Sequence, residues 1–125
     1  MIVGIGIDVA EVDRVREVIE RHGPRFIERV YTPAEIAYVD SKANRYERYA
    51  ARFAAKEAAM KAIGTGWKRG VRWQDFEVAN LASGRPTLQF HGAAAKIAES
   101  LGVRNIALSI THTAREGVAI VILEA

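Results

Sequence analysis

The sequence contains no cysteine. That excludes disulfides, thiolate metal sites and a cysteine nucleophile, and it fits a reducing compartment. No apolar run approaches the roughly 20 residues that a membrane-spanning helix requires. The opening stretch, Met1 to Asp8, has no basic segment and meets a charge too early for a signal peptide. Internal repeats and low-complexity segments are missing as well. These absences lead to the expectation of a complete cytoplasmic protein with no membrane partner. At 125 residues the chain has the size of one compact domain, so a single core over residues 1–125 is expected. So short a chain leaves much of its surface exposed, which favours sites shared between subunits over a deep private pocket.

What is present is ordinary for a globular protein: 50% hydrophobic and 26% charged residues, which argues against disorder. The net charge of +3 comes from arginine more than lysine. Arginine suits phosphate or carboxylate partners because its planar fork makes bidentate contacts. Charge of this size does not separate nucleic acid from an acidic protein or a polyanionic cofactor.

Val3, Ile5 and Ile7 alternate with Gly4, Gly6 and Asp8, the pattern of an opening strand with one aliphatic and one nearly bare face. Bare glycines let another element or a ligand approach the backbone closely. A helix follows, with Val12, Val15, Val18 and Ile19 as its apolar stripe and Gly23-Pro24 as its stop. Thr32-Pro-Ala-Glu35 is a capping box with proline at the first helical position, so a short second helix starts there. A third helix is predicted over Arg45 to Ile63, closed by Gly64. Alanines 50, 51, 54, 55, 58, 59 and 62 cover most of it, so it should be largely buried. Trp73 to Leu81 alternates as a strand, Ser83 to Pro86 turns the chain, and Thr87 to Phe90 returns. Gly92 to Leu101 reads as a helix. Ile106, Leu108 and Ile110, then Val118, Ile120 and Ile122, make a final antiparallel pair around the turn Thr113–Gly117. The expected class is α+β: an antiparallel sheet packed against one long central helix, with shorter helices.

Glu57 is the most informative candidate. Surrounded by alanine, its carboxylate should be largely desolvated, and burying an unpaired carboxylate costs several kcal/mol. The plain alternative is an i,i+4 ion pair with Lys61, worth about 0.3–0.5 kcal/mol when exposed. Asp8 has its own alternative, because Asp8-Val-Ala-Glu11 is also a capping-box pattern. Yet Asp8 and Glu57 together offer hard oxygens of the kind that hold Mg²⁺ while leaving room for water and phosphate. His112 ends a strand, either as a core residue or as a ligand contact helped by Thr111 and Thr113. Gly64-Thr65-Gly66 is a helix C-cap or a phosphate-approach loop, without the ending of a Walker motif. Arg45, Arg48, Arg52 and Lys56 recur on one side of the third helix, as a solvated basic face or an anion-binding stripe. Arg14, Arg21, Arg25 and Arg29 recur near the first helix among acidic residues.

Gly4-Ile-Gly-Ile-Asp8, the block from Arg52 to Gly66, the Gly84-Arg-Pro86 turn and Ser109-Ile-Thr-His-Thr113 occur in the order found in holo-(acyl carrier protein) synthases. The resemblance spans essentially the whole chain. It implies transfer of 4′-phosphopantetheine from coenzyme A to a serine of apo acyl carrier protein, with Mg²⁺, releasing adenosine 3′,5′-bisphosphate. It implies Asp8 and Glu57 as metal ligands and Lys61, with Glu57, as the catalytic pair, Lys61 holding a phosphate oxygen. Arg52, Gly64, Thr65, Gly66, Pro86, His112 and Thr113 would line the coenzyme A site. Arg14, Arg21, Arg25 and Arg29 would meet the acidic carrier protein, and the subunits would form a homotrimer with active sites between neighbours. The competing readings are a basic nucleic-acid module built on the third-helix stripe and a carrier-binding subunit without catalysis. An unscreened Glu57 would repel phosphate and argues against the first; Asp8 and Glu57 together argue against the second.

Overall fold

The computed structural model describes residues 1–66 and 68–125. Strand β1 (Ile2–Glu11) leads into three short helices, α1 (Val12–His22), α2 (Pro24–Val30) and α3 (Pro33–Asp40), and then the long α4 (Arg45–Ile63). A 3-10 turn (Trp73–Asp75) precedes the hairpin strands β2 (Phe76–Asn80) and β3 (Pro86–Phe90), followed by α5 (Gly92–Ser100), β4 (Asn105–His112) and β5 (Glu116–Glu124). The expected α+β class holds. An antiparallel sheet in the order β1-β5-β4 carries α4 on one face, and the β2-β3 hairpin forms a separate two-stranded sheet.

Local chemistry accounts for the boundaries. Gly64 adopts the left-handed conformation (φ 77°) that ends α4 where expected. The α3 capping box is complete: the Thr32 hydroxyl accepts from Glu35 N and the Glu35 carboxylate accepts from Thr32 N. Three expectations need correction. Asp8 does not cap α1, because β1 continues to Glu11 and Glu11 occupies the cap position. Gly23-Pro24 ends α1 but also starts α2, with Pro24 in the first turn, where its missing N–H costs nothing. Residues 73–75 are a tight turn rather than strand, held by the Asp75 carboxylate accepting from Arg72 N at 3.1 Å.

Packing between β1 and α4 depends on missing side chains. A Cβ on Gly6 would lie 1.8 Å from the Ala58 carbonyl oxygen, and one on Gly4 would lie 2.1 Å from that of Ala62. On β5, a Cβ on Gly117 would meet the Ala51 backbone at 2.6 Å. The bare face of β1 therefore belongs against the alanine face of α4, and Ala50, Ala54, Ala55, Ala58 and Ala59 are fully buried. The aliphatic face points the other way: Ile5, Ile7 and Val9 are 59%, 57% and 51% exposed. Opposite them on β5 stand Ile122, Ile120 and Val118.

Lys56 leaves the basic stripe predicted on α4. It is fully buried, with Nζ 2.8 Å from Glu35 Oε1, and it also donates to the carbonyls of Trp73 and Phe76. A continuous anion-binding or nucleic-acid-binding stripe is thereby broken.

Gly6→Ala should destabilise the protein by about 1–3 kcal/mol or more, because the added carbon meets helix backbone rather than a side chain that can turn aside. Ile5→Ala, on the outward face, should cost an isolated subunit much less. Urea denaturation of both variants, at a concentration where the protein is monomeric by analytical ultracentrifugation, checks the contrast, and equal losses would contradict the packing.

Candidate active site

Asp8 is the first inward-facing residue of β1 after Gly6, so the close approach of strand and helix brings its carboxylate to α4. Lys61 Nζ donates to Asp8 Oδ1 at 2.8 Å and to the Ile7 carbonyl at 3.0 Å. The plain alternative, an i,i+4 ion pair between Glu57 and Lys61, thus gives way to a cross-element pair from Lys61 to Asp8. Glu57 is half-buried beside them. Burial is the largest influence raising its pKa, the Asp8 charge adds to it, and Lys61 offsets part. The hydrogen bond to Asp8 pushes the pKa of Lys61 up. Two carboxylates against one ammonium leave an excess of negative charge in a partly desolvated place.

That donor set suits a hard divalent cation. No cluster of three or more His, Asp or Glu side chains capable of caging an ion occurs among the described residues. Asp8 and Glu57 would leave most of a shell to water and ligand oxygens, which matches the habits of Mg²⁺. A cleft of about 430 Å³ opens beside the pair, with Val15, Phe26 and Phe53 as apolar walls and Arg14 at its α1 side. Arg14 and Arg21 lie seven residues apart on α1, hence on one face, and Arg25 and Arg29 follow on α2; all four are exposed. His22, Arg25, Phe26 and Arg29 border a further cleft of about 340 Å³.

A second cavity, of about 160 Å³, gathers Arg52, Pro86 and His112 together with Tyr38, Arg48 and Asn80. Arg52 is only 5% exposed, and burial lowers its pKa. Its guanidinium donates to Asn80 Oδ1 at 2.7 Å and lies 4.6 Å from the Tyr38 ring centre, both neutral partners. Its Nε has no hydrogen-bond partner among the described residues. A buried cation so held, with Arg48 beside it, is chemically prepared for an anion. His112 Nδ1 shares a hydrogen bond with Glu47 Oε1 at 3.1 Å, which orients the ring. Thr113 is exposed, and its hydroxyl oxygen accepts from Arg115 N and Glu116 N, tying it to the β4-β5 turn. Gly64 and Gly66 both have positive φ, and the buried Thr65 between them donates to the Gly66 carbonyl.

The two groups do not form one site within a subunit. Arg52 and Lys61 are nine residues apart on α4, about half a turn out of phase at roughly 100° per residue, so they occupy opposite flanks of the helix. Asp8, Glu57 and Lys61 line the β1 flank, and Arg52, Pro86 and His112 line the hairpin flank. Sequence reasoning missed Tyr38 and Asn80. Asn80 stands just before the Gly84-Arg-Pro86 turn, a position that carried a signal; Tyr38 carried none.

The sequence profile of the 4′-phosphopantetheinyl transferase superfamily matches residues 4–120. The chain belongs to that family. It is 73% identical over 124 residues to the holo-[acyl-carrier-protein] synthase of Solibacter usitatus, covering 99% of both chains. The crystal structure of the Neisseria meningitidis holo-[acyl-carrier-protein] synthase superimposes with a TM-score of 0.91 at 31% identity, covering all of both chains. That of the Bacillus anthracis enzyme, in complex with CoA (3′,5′-ADP), has a TM-score of 0.82 at 38% identity, covering 100% of this chain and 98% of the other. Among the described residues of this family member, no helix is long and apolar enough to cross a membrane.

The raised pKa of Glu57 has a definite sign. The folded state favours its protonated form, so its contribution to stability is full below the unfolded carboxylate pKa and is lost as pH rises through the folded one. In metal-free protein, Glu57→Gln should therefore melt higher than the parent at pH 8. The difference should shrink toward zero at about pH 4 and below. Thermal melts across that range check it, and a variant less stable at pH 8 would contradict the electrostatics.

Proposed function

We propose that this chain transfers 4′-phosphopantetheine from coenzyme A to a serine hydroxyl of apo acyl carrier protein, with Mg²⁺, and releases adenosine 3′,5′-bisphosphate. The observation that carries this reading is the Asp8–Lys61–Glu57 arrangement beside a cleft whose α1 side carries Arg14. The names of its relatives and the CoA complex of the Bacillus anthracis enzyme support the substrates.

The serine oxygen forms a new bond to the β-phosphorus of coenzyme A, the pyrophosphate bridge breaks, and adenosine 3′,5′-bisphosphate leaves with the bridging oxygen. The serine proton passes to a base that the residues do not single out. Mg²⁺, when bound, would offset charge developing on the pyrophosphate, an electrostatic contribution rather than a covalent one. Asp8 and Glu57 are the residues to hold it. Lys61 already has its ammonium between strand and helix, where it neutralises Asp8 and can reach a phosphate oxygen. On the other flank, Arg52 with Arg48, Pro86 and His112 offers a pocket for a further phosphate, and Thr113 and the Gly64–Thr65–Gly66 loop border the ligand. Arg14, Arg21, Arg25 and Arg29 would steer the acidic carrier protein by charge.

Opposite flanks need a neighbour to meet. The outward aliphatic face of β1 and β5 would be covered in a homotrimer, which would set the Arg52 flank of one subunit beside the Asp8 flank of the next. Ile7→Glu should then give a monomer by analytical ultracentrifugation and lose transfer activity; an unchanged oligomer would rule out this face.

The central test incubates the protein with coenzyme A, apo carrier protein and Mg²⁺ and follows the mass of the carrier. A gain of one phosphopantetheine is expected, and none with several carriers would sink the reading. Asp8→Ala and Glu57→Ala should each lose most transfer, and Mg²⁺ should raise the melting temperature of the parent but not of either variant. Arg14→Glu should raise the KM for the carrier while leaving that for coenzyme A unchanged.

A further inference from the structure

Glu35 does more than a capping box requires. A cap glutamate needs one oxygen and sits at the surface, whereas Glu35 is 1% exposed and uses both oxygens. Oε1 accepts from Lys56 Nζ at 2.8 Å and from Thr32 N at 2.9 Å; Oε2 accepts from Val78 N at 2.9 Å. One buried carboxylate thus joins α3, α4 and β2. We propose that Glu35, acting with Lys56, is a positioning residue that fixes Arg52 for anion binding in the hairpin-flank cavity. This rests on the reading of that cavity as a phosphate pocket for coenzyme A.

The geometry repeats itself one structural period away. On α3, Tyr38 lies three residues beyond Glu35, one turn along the helix, and its ring faces the Arg52 guanidinium. On α4, Arg52 lies four residues before Lys56. On β2, Asn80 lies two residues beyond Val78, on the same side of the strand, and accepts from Arg52 Nη2. The three elements joined by the Glu35 carboxylate, α3, α4 and β2, each also supply one member of the Arg52 cluster at the cavity. Among the described residues the guanidinium is bonded by a neutral amide and faced by an aromatic ring, and it also feels the Glu35 charge. Its placement depends on where the elements carrying that amide and ring stand, and the Glu35 carboxylate sets their spacing.

Stability alone does not call for this ion pair. Apolar replacements of a buried pair are often neutral or stabilising, so the ion pair itself is separable from support of the fold, while the backbone hydrogen bonds that Glu35 accepts are not. The double substitution Glu35→Leu with Lys56→Met tests this in the full-length protein. Because it also removes the side-chain partners of Thr32 N, Val78 N and the Trp73 and Phe76 carbonyls, its melting temperature is expected to fall. The folded protein is expected to keep its kcat, leave the KM for the carrier unchanged, and raise the KM for coenzyme A about tenfold, the scale of one misplaced charged hydrogen bond. Adding Arg52→Ala should abolish any further effect of the double substitution, since both act through the same guanidinium. Equal changes in both KM values, or additive effects with Arg52→Ala, would overturn the proposal. Glu35→Gln, which keeps the shape of the side chain, is the second variant and should move the coenzyme A KM in the same direction. If the parent transfers nothing from coenzyme A, the functional reading fails, and a crystal structure of Glu35→Gln still decides the positioning. Tyr38 and Asn80 unmoved around Arg52 would refute it, and their separation from Arg52 would sustain it.

Discussion

The close approach of β1 to α4 is the constraint on which the molecule depends. Hydrogen atoms at Gly4 and Gly6 let the strand lie against the carbonyls of Ala62 and Ala58, where any Cβ would overlap. Dispersion and burial act over short distances, so a strand this near gains contact along its whole length without large side chains. The next inward residue after that bare stretch is Asp8. Its carboxylate is delivered to α4 because nothing bulkier holds the strand away, and it meets Lys61 and Glu57 there. Chemistry and packing share one cause.

The same turn of the strand sends Ile5, Ile7 and Val9 outward. A β-strand alternates faces, so choosing glycine for the helix side obliges the aliphatic residues to look away from the core. Their β5 neighbours Ile120, Ile122 and Val118 extend the patch across the sheet. The sheet thus carries an exposed aliphatic patch on the side away from α4. The subunit's ionisable groups also divide, with carboxylates on the β1 flank of α4 and the buried guanidinium on the hairpin flank.

The two kinds of charge are treated differently. Lys56 and Glu35 are fully buried and paired, so the desolvation that lowers the Lys56 pKa is offset in part by Glu35. Glu57 has no such compensation: burial and Asp8 both raise its pKa, and one lysine opposes them. Arg52 likewise has an Nε without a hydrogen-bond partner among the described residues. Unbalanced carboxylates on one flank and an under-satisfied cation on the other are what a metal and a phosphate would complete.

Much of this was legible in the residues alone. The bounds of α4 followed from alanine content and Gly64, the α3 start from Thr32 to Glu35, and the interest of Glu57 from its cost among apolar neighbours. These are local properties, carried by propensity, capping and spacing over a few residues. Partners across the fold were not legible. The spacing of Glu57 and Lys61 pointed to each other, yet Lys61 went to Asp8. Lys56 belonged to a basic stripe by periodicity, yet the core held its carboxylate. Asp8 fitted a cap that the continuing strand withdrew. Residue types and elements were thus determined by the sequence itself, because hydrogen-bond patterns and side-chain size act locally. Which charge meets which was decided only by the tertiary structure, because Coulomb energy and desolvation depend on distances between elements far apart in the chain.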